Sequence, residues 1–540
     1  MATFEHALLL LLLVTALSVV ARYLPWPEPI TYVLGGIAFA FVPAFPRVAF
    51  DPGFFFVCFL PPLLFSDGWL MPLREFVRER RSILVYATGL VAFTTVGIGL
   101  VAYWLVPGLP LALAFALGAV ISPTDAVSVN AITEKLKVPT RLRVVLNGES
   151  LMNDATGLVG FKFALAALIA GSFSLRSLAF QFLLIAVGGL LAGVAVGYLV
   201  GKLRDLVVRA HGAEPLVETT LSLLTPYAAY FAAHALHVSD ILAVVAAGLY
   251  SGWRDPVKTD AASRQTAWTV WSTVLFWLNG LAFVLLGLQF PGLFATVSGM
   301  YSTTQLLGFT AAIAGMAMLL RLAWFFPSTY VLARFSRALG AKESPPSWRE
   351  AMVGGWAGMR GAVTFAAALS IPLTLPDGAP LPGRDIVIFL AFGVVLVTLV
   401  VQGTSLSWLI RRLGLGEDGV REREELVART AAVRAGLSVL RGLETQCTAS
   451  QENAALGHVV AEYEQRLSEL VAEGETRENA RLRRAAEKHF RFAALKAERA
   501  ALDDLWRRDE IADEVYRPLQ NLLDYEEAML SAKPTGEPGP

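Results

Sequence analysis

Residues 1–412 consist of nearly continuous apolar stretches, each long enough to cross a lipid bilayer and separated by short charged loops. About 20 apolar residues cross the hydrocarbon core as a helix, because a helix satisfies its own backbone hydrogen bonds there. The whole chain is 55% hydrophobic and only 17% charged, less charge than a soluble protein carries. The pattern predicts an all-α polytopic membrane protein with 13 transmembrane helices, near residues 4–22, 30–46, 53–71, 83–106, 110–132, 145–171, 178–200, 216–236, 239–252, 267–290, 304–332, 351–373 and 385–410.

Basic residues are concentrated in alternate loops between these spans. The loop after the third span alone contains four arginines between residues 74 and 81, and the other loops of this set are also basic. The loops of the opposite set contain only Arg47, Arg176 and Arg384. Since short loops rich in Lys and Arg face the cytoplasm, we expect a multi-pass protein of the cell membrane with its N-terminus outside and its C-terminus inside.

Residues 413–540 mix charged residues with apolar residues at helical spacing, for example Leu426, Val433, Leu437 and Leu440. The sequence therefore predicts a transmembrane domain, 1–412, followed by a helical cytoplasmic tail, 413–540. The tail is acidic and the membrane part is basic, and neither offers the basic surface of a nucleic-acid-binding protein. No phosphate-cradling loop or catalytic motif is evident, so neither an enzyme activity nor a cofactor is expected.

A few charged residues lie inside the apolar stretches, away from their ends. A charge deep in a membrane costs at least a few kcal/mol, so it is usually paired or functional. Four acids against three bases suggests pairing with one carboxylate left over. The seven residues are Asp67, Asp125, Glu149, Asp154, Lys162, Arg321 and Arg360.

Two of these charges accompany signals for a broken helix. Pro123 precedes Asp125 in the fifth span, and a glycine cluster at 354–361 surrounds Arg360 in the twelfth. If spans 1–6 and 8–13 are two inverted six-helix repeats, both breaks occupy the fifth position of their repeat, which is typical of a transporter site. The alternative is a simple kink at Pro123 and glycines that serve helix packing.

The sixth span carries the densest polar cluster. Ser150 and Asp154 are four residues apart, as are Glu149 and Asn153, so both pairs project from neighbouring strips of one helix. Hydroxyl, amide and carboxylate oxygens are hard donors that suit a cation such as Na⁺. A carboxylate can hold a proton instead, so one site could serve two mutually exclusive ligands.

Three motifs resemble the NhaP/NHE-type monovalent cation/proton antiporters. They are 122–127 (SPTDAV), 146–154 (LNGESLMND) and 358–363 (GMRGAV). The resemblance covers about residues 5–412. It implies a transport core built around helices 5, 6 and 12, in which the broken helices cross, together with a part that forms a homodimer in membrane lipid.

The resemblance also implies roles for individual residues. Asp154 looks like the carboxylate that binds the ion and the proton, and Na⁺ would be held by Asp154, Ser150 and Thr124. Asn153 resembles the amide that replaces a second acid in electroneutral members.

Two ion pairs are implied as well. Arg360 looks like the partner of Asp125 at the helix crossing, and Arg321 looks like the arginine of the eleventh helix that pairs with Glu149.

The third span departs from the family pattern. Residues 60–69 (LPPLLFSDGW) resemble its third-helix motif, but several members have an acid where this chain has Ser66. Here the acid is Asp67, about 100° further round a helix. This shift argues against direct coordination by Asp67, and the alternatives are a place in the inner funnel or a structural role near the helix end.

These observations lead to a functional hypothesis with two rivals. We expect exchange of cytoplasmic Na⁺, or of Li⁺ or K⁺, for external H⁺ by alternating access, with Asp154 carrying either ligand. A channel for the same cations and a membrane sensor that signals through residues 413–540 are the alternatives.

Overall fold

The computed structural model describes residues 2–43, 45–46, 48, 50–136, 138–170, 175–338, 347–375, 378–416, 419–444, 450–472 and 474–531. Within these residues the chain is helical, and its only β-type pairing is an isolated bridge between Thr374 and Pro380. The chain divides into two compact units, 1–416 and 417–540.

The first part of unit 1–416 contains eight α-helices. They are α1 (Ala2–Ala21), α2 (Glu28–Ala40), α3 (Pro52–Phe54), α4 (Leu60–Leu70), α5 (Leu73–Leu84), α6 (Val91–Leu105), α7 (Leu111–Ile121) and α8 (Ala126–Thr133). Two π-helical turns, Phe55–Phe59 and Val85–Leu90, join α3 to α4 and α5 to α6. Each of these pairs therefore forms one continuous helix, whereas α7 and α8 are separated by a non-helical break.

The remainder of this unit contains ten α-helices. They are α9 (Thr140–Ala170), α10 (Leu175–His211), α11 (Pro215–Ala235), α12 (Asp240–Lys258), α13 (Ala261–Leu288), α14 (Phe290–Ser298), α15 (Thr303–Ala338), α16 (Trp348–Trp356), α17 (Ala362–Leu369) and α18 (Arg384–Leu413). A second break separates α16 from α17. Both interruptions fall where the proline and the glycine cluster predicted them.

Eight helical segments of the described chain are long and apolar enough to cross a membrane, and a shorter apolar segment, Glu5–Ala21, lies within α1. Each of the 13 predicted spans overlaps a helix or an interrupted helix pair. The all-α membrane fold is therefore confirmed. The count of 13 spans and the inverted relation of two six-helix repeats stay predictions.

Glycines set the distance between α4 and α12. A Cβ atom added to Gly248 would lie 2.4 Å from the carbonyl oxygen of Phe65, and one added to Gly252 would lie 2.3 Å from that of Trp69. Because such small residues let two helix backbones approach closely, α4 is packed directly against α12. This contact fixes the end of α4 that carries Asp67.

The described residues of the unit 417–540 form four helices in two pairs. They are α19 (Val420–Glu444), α20 (Ser450–Val471), α21 (Gly474–Arg507) and α22 (Asp513–Ser531). Arg499 of α21 contacts Asp524 and Glu527 of α22, with N–O distances of 2.5 and 2.6 Å. These pairs are largely exposed, so each contributes little to stability.

We expect Gly248→Ala to lower the stability of the transmembrane unit. The added methyl group must push α4 and α12 apart, which costs about 1–3 kcal/mol. The measurement is thermal unfolding of the purified protein in detergent. The matched control is Gly308→Ala in α15, where an added Cβ would have nothing within 4 Å. Equal melting temperatures for the two variants would contradict the role of Gly248.

Candidate functional site

The breaks in α7–α8 and α16–α17 meet beside a small cavity of about 50 Å³. Side chains of α4, α9 and α13 complete its walls. The volume suits one ion or one or two water molecules. Its polar lining consists of Asp67, Thr124, Asp125, Ser150, Asp154, Asn279 and Thr364.

The break between α7 and α8 is held in place by close packing. Pro123 rests on α9, where a Cβ added to Gly157 would lie 2.3 Å from the proline Cγ atom. The amide of Asp125 donates to the carbonyl oxygen of Met359 at 2.8 Å, which joins the two breaks directly. Unpaired peptide groups at membrane depth are tolerated only where protein satisfies them, and this crossing satisfies them.

Arg360 lies at the crossing but does not pair with Asp125, so that expectation is corrected. Its buried guanidinium donates instead to the carbonyl oxygens of Ser122 and, at 2.8 Å, of Pro123. These carbonyls form the C-terminal end of α7, where the helix dipole places partial negative charge. A helix end therefore takes the place of the expected carboxylate.

Asp125 caps the N-terminus of α8. Its carboxylate accepts from the amides of Val127 and Ser128, at 3.3 and 3.1 Å, and from the Ser128 hydroxyl. The free amides and the dipole of a helix N-terminus stabilise a negative charge without any basic side chain. Asp125 borders the cavity, but its oxygens are already engaged.

Asp154 faces the cavity from α9. Among the described residues its carboxylate has neither a hydrogen bond nor an ion pair, and no basic side chain lines the cavity. Nearby, Ser150 Oγ donates to the carbonyl oxygen of Thr124, and Asn153 Nδ2 donates to Thr124 Oγ1 at 2.9 Å. The structure thus places three of the predicted site residues in one hydrogen-bonded group beside the unpaired carboxylate.

Glu149 and Arg321 form a buried ion pair on the other side of α9. Both guanidinium Nη atoms donate to the carboxylate, with Nη2 and Oε2 2.9 Å apart, and Arg321 Nε donates to the carbonyl oxygen of Gly354 at 3.2 Å. The guanidinium also lies 4.8 Å from the centroid of the Phe325 ring. These contacts neutralise the charge of Glu149 next to the site.

The structure decides between Ser66 and Asp67. Ser66 is buried, and its hydroxyl donates to the carbonyl oxygen of Leu63 at 2.7 Å. Asp67 lines the cavity together with Asp154. Lys162, the remaining charge of the sixth span, is exposed on α9.

Two cavity residues were missed by reasoning from the sequence. Asn279 of α13 and Thr364 of α17 both line the cavity. Asn279 carries a signal that could have found it, because it is an isolated amide in an otherwise apolar run. Thr364 carries no comparable signal, since a threonine in a membrane helix can hydrogen-bond to its own backbone.

Comparison with known proteins gives consistent matches. A profile of the family described as "Sodium/hydrogen exchanger, transmembrane" matches residues 8–412. An uncharacterised Na⁺/H⁺ exchanger of Escherichia coli, YjcE, is 36% identical over 98% of this chain and 99% of its own length. A sodium, potassium, lithium and rubidium/H⁺ antiporter of Bacillus subtilis is 35% identical over 96% of this chain and 77% of its own.

Among solved structures, the fold is similar to that of the sodium proton antiporter MjNhaP1 from Methanocaldococcus jannaschii. The TM-score is 0.60 at 18% sequence identity, over 76% of this chain and 99% of that one.

We expect Arg321→Ala to destabilise the protein. Removal of one partner leaves Glu149 buried and uncompensated, which costs about 3–5 kcal/mol. Thermal unfolding in detergent is the measurement. Adding Glu149→Gln to the same variant should restore part of the lost stability, because the stranded charge is then gone. A single variant that melts like the unmodified protein would show that the pair does not stabilise the fold.

Proposed function

This chain belongs to the transmembrane sodium/hydrogen exchanger family, and from that premise we propose that it exchanges Na⁺ for H⁺ across the membrane. The observation that carries the proposal is the unpaired carboxylate of Asp154 in the cavity. The name of the relative from B. subtilis adds lithium, potassium and rubidium, so Li⁺ and K⁺ are included as candidate substrates.

Asp154 supplies the chemistry that exchange requires. An ionised carboxylate in a small, largely protein-lined cavity must gain either a proton or a cation to offset its charge. The two ligands then exclude each other, because either one neutralises the same group. Loading with one ligand and return with the other couples the two fluxes without a further energy source.

We place the cation among Asp154, Ser150 and Thr124. The Thr124 carbonyl and hydroxyl each have a second lone pair beyond the bond from Ser150 or Asn153. Rotation of the Ser150 hydroxyl would free its oxygen for the cation. Asp67 adds a second carboxylate at the wall formed by α4 and attracts the cation into the cavity.

Exchange by alternating access requires that the cavity be closed on one side at a time. A cluster of phenylalanine rings beside the cavity is suited to close it on one side. Phe55 lines the cavity and lies 5.3 Å from Phe50, which lies 5.5 Å from Phe365 of α17. Phe365 in turn contacts Phe392 of α18 at 5.8 Å. In the proposed topology this cluster occupies the outer side, so the cavity would open inward.

The stoichiometry we propose is one cation for one proton. Asn153 resembles the amide that replaces a second acid in electroneutral members of the family, and its amide is engaged with Thr124. Asp67 must then keep one protonation state throughout the cycle.

The orientation that we propose follows from the loop charges, and the homodimer is what the resemblance to the antiporter family implies. The N-terminus lies outside and residues 413–540 lie in the cytoplasm, because the basic loops alternate. The transmembrane domain, 1–412, acts as a homodimer in the lipid of the cell membrane, and the tail regulates or stabilises it.

Asp154→Asn should abolish cation-dependent proton movement, because an amide can neither bind nor release the proton. The measurement is dissipation of a pH gradient in proteoliposomes on addition of Na⁺, Li⁺ or K⁺. Melting in detergent should be unchanged or higher, since an uncompensated charge is removed. Asp385→Asn, the same replacement outside the cavity, should exchange normally. Exchange retained by Asp154→Asn would refute the assignment of Asp154. Cation flux without proton counter-flow in the unmodified protein would indicate a channel.

Asp67→Asn should retain exchange but raise the KM for the cation at least about tenfold, because a negative charge that attracts the cation into the cavity is lost. The rate of the unmodified protein should not respond to an imposed membrane potential, since one positive charge replaces another. A rate that depends on potential in the unmodified protein but not in Asp67→Asn would mean that Asp67 carries a second proton, and the one-for-one stoichiometry would be wrong.

A further inference from the structure

α13 contributes one polar side chain to the cavity. From residue 274 to 288 this helix contains no hydroxyl, charged or amide side chain other than that of Asn279. Asn279 lines the cavity together with Ala282 and Phe283, which lie three and four residues further along the same face. The amide therefore faces the same space as Asp154.

Packing on the other faces of α13 fixes this orientation. A Cβ added to Gly280 would lie 2.3 Å from the side chain of Val14 in α1, and one added to Gly287 would lie 2.3 Å from the carbonyl oxygen of Val33 in α2. Trp271, one of the largest buried side chains, stacks on Phe65 of α4 at 5.4 Å. These contacts leave the helix no freedom to rotate Asn279 away from the cavity.

The amide of Asn279 has no hydrogen-bond partner within the described part of the chain. Asn279 is half-buried, and a polar group removed from bulk water costs free energy unless it finds a partner. The neighbouring lining residues from α13, Ala282 and Phe283, cannot supply one. The amide is therefore available to a water molecule or a cation in the cavity.

We propose that Asn279 is a ligand of the transported cation, contributing its amide oxygen from α13. The proposal rests on the function proposed above and adds a residue to its site. The donors on α9 and at the α7–α8 break are partly occupied, since Ser150 and Asn153 both bond to Thr124. An alkali cation prefers more oxygen ligands than a single carboxylate provides, and a neutral amide oxygen adds one without adding charge.

Losing a neutral ligand and losing a charged one should affect cation binding differently as the pH changes. As a cation ligand, Asn279 stabilises the cation-bound state, and it neither gains nor loses a proton as the pH changes, because an amide does not titrate. Its loss should weaken cation binding equally at every pH. The loss of Asp67 or a distortion of the cavity would instead change proton binding at Asp154, and its effect would vary with pH.

The test compares Asn279→Leu, which has nearly the same shape without the oxygen, with the unmodified protein in proteoliposomes. We expect the KM for Na⁺ to rise about fivefold with little change in the maximal rate. The ratio of the two KM values should be the same from acid to alkaline pH. Asn279→Ser, which keeps a smaller oxygen donor, should recover part of the affinity. Thr273→Val, an exposed position of the same helix, is the matched control.

An unchanged KM in Asn279→Leu would overturn the proposal. A ratio of variant to unmodified KM that varies with pH would also overturn it. The same holds for a loss of exchange in both Asn279→Leu and Asn279→Ser when these variants melt normally. Asn279→Asp guards against a folding defect in the leucine variant, because it keeps the oxygen and should make the KM for Na⁺ rise more steeply toward acid pH. If the unmodified protein shows no cation-dependent proton movement, the proposed function fails first, and the two failures are distinguishable.

Discussion

The crossing of the two broken helices is the constraint on which the rest of the site depends. Each break leaves peptide groups without helical partners at membrane depth, where water cannot replace them. Asp125 satisfies the amides at the start of α8, and Arg360 satisfies the carbonyls at the end of α7. A backbone hydrogen bond from Asp125 to Met359 then ties the breaks together. The cavity lies beside the point where these helix ends meet.

This arrangement determines which buried charges are compensated and which are not. Glu149 is neutralised by Arg321, Asp125 by a helix N-terminus, and Arg360 by backbone carbonyls. Asp154 has no such partner in the described chain, and Asp67 shares its cavity. A carboxylate that the protein leaves uncompensated must find its counter-charge in a mobile ligand. This contrast between the compensated charges and Asp154 is the reason for proposing Asp154 as the group that binds the cation or the proton.

Much of the fold, and most of the polar residues that the structure places at the cavity, could be predicted from the sequence. Membrane helices and their interruptions are local properties, set by the length of apolar runs and by the positions of Pro123 and the glycines around Arg360. The expected pair of Arg360 and Asp125 was wrong for a physical reason. Counting the charged residues of a sequence considers side chains only. In the structure, Asp125 and Arg360 are instead compensated by the partial charges of two helix ends. Such partners become visible only when the position of each break is known in space.

Three features were legible in the sequence alone: the chain crosses a membrane, two helices break there, and Asp154 lies on a polar strip of the sixth span. All three depend on residues that are close together in the chain. That Asp67 rather than Ser66 reaches the cavity, and that Asn279 reaches it from α13, became clear only from the packing of the helices. Both depend on how a helix is rotated about its axis, and that rotation is set by distant glycine contacts such as those of Gly248 and Gly280.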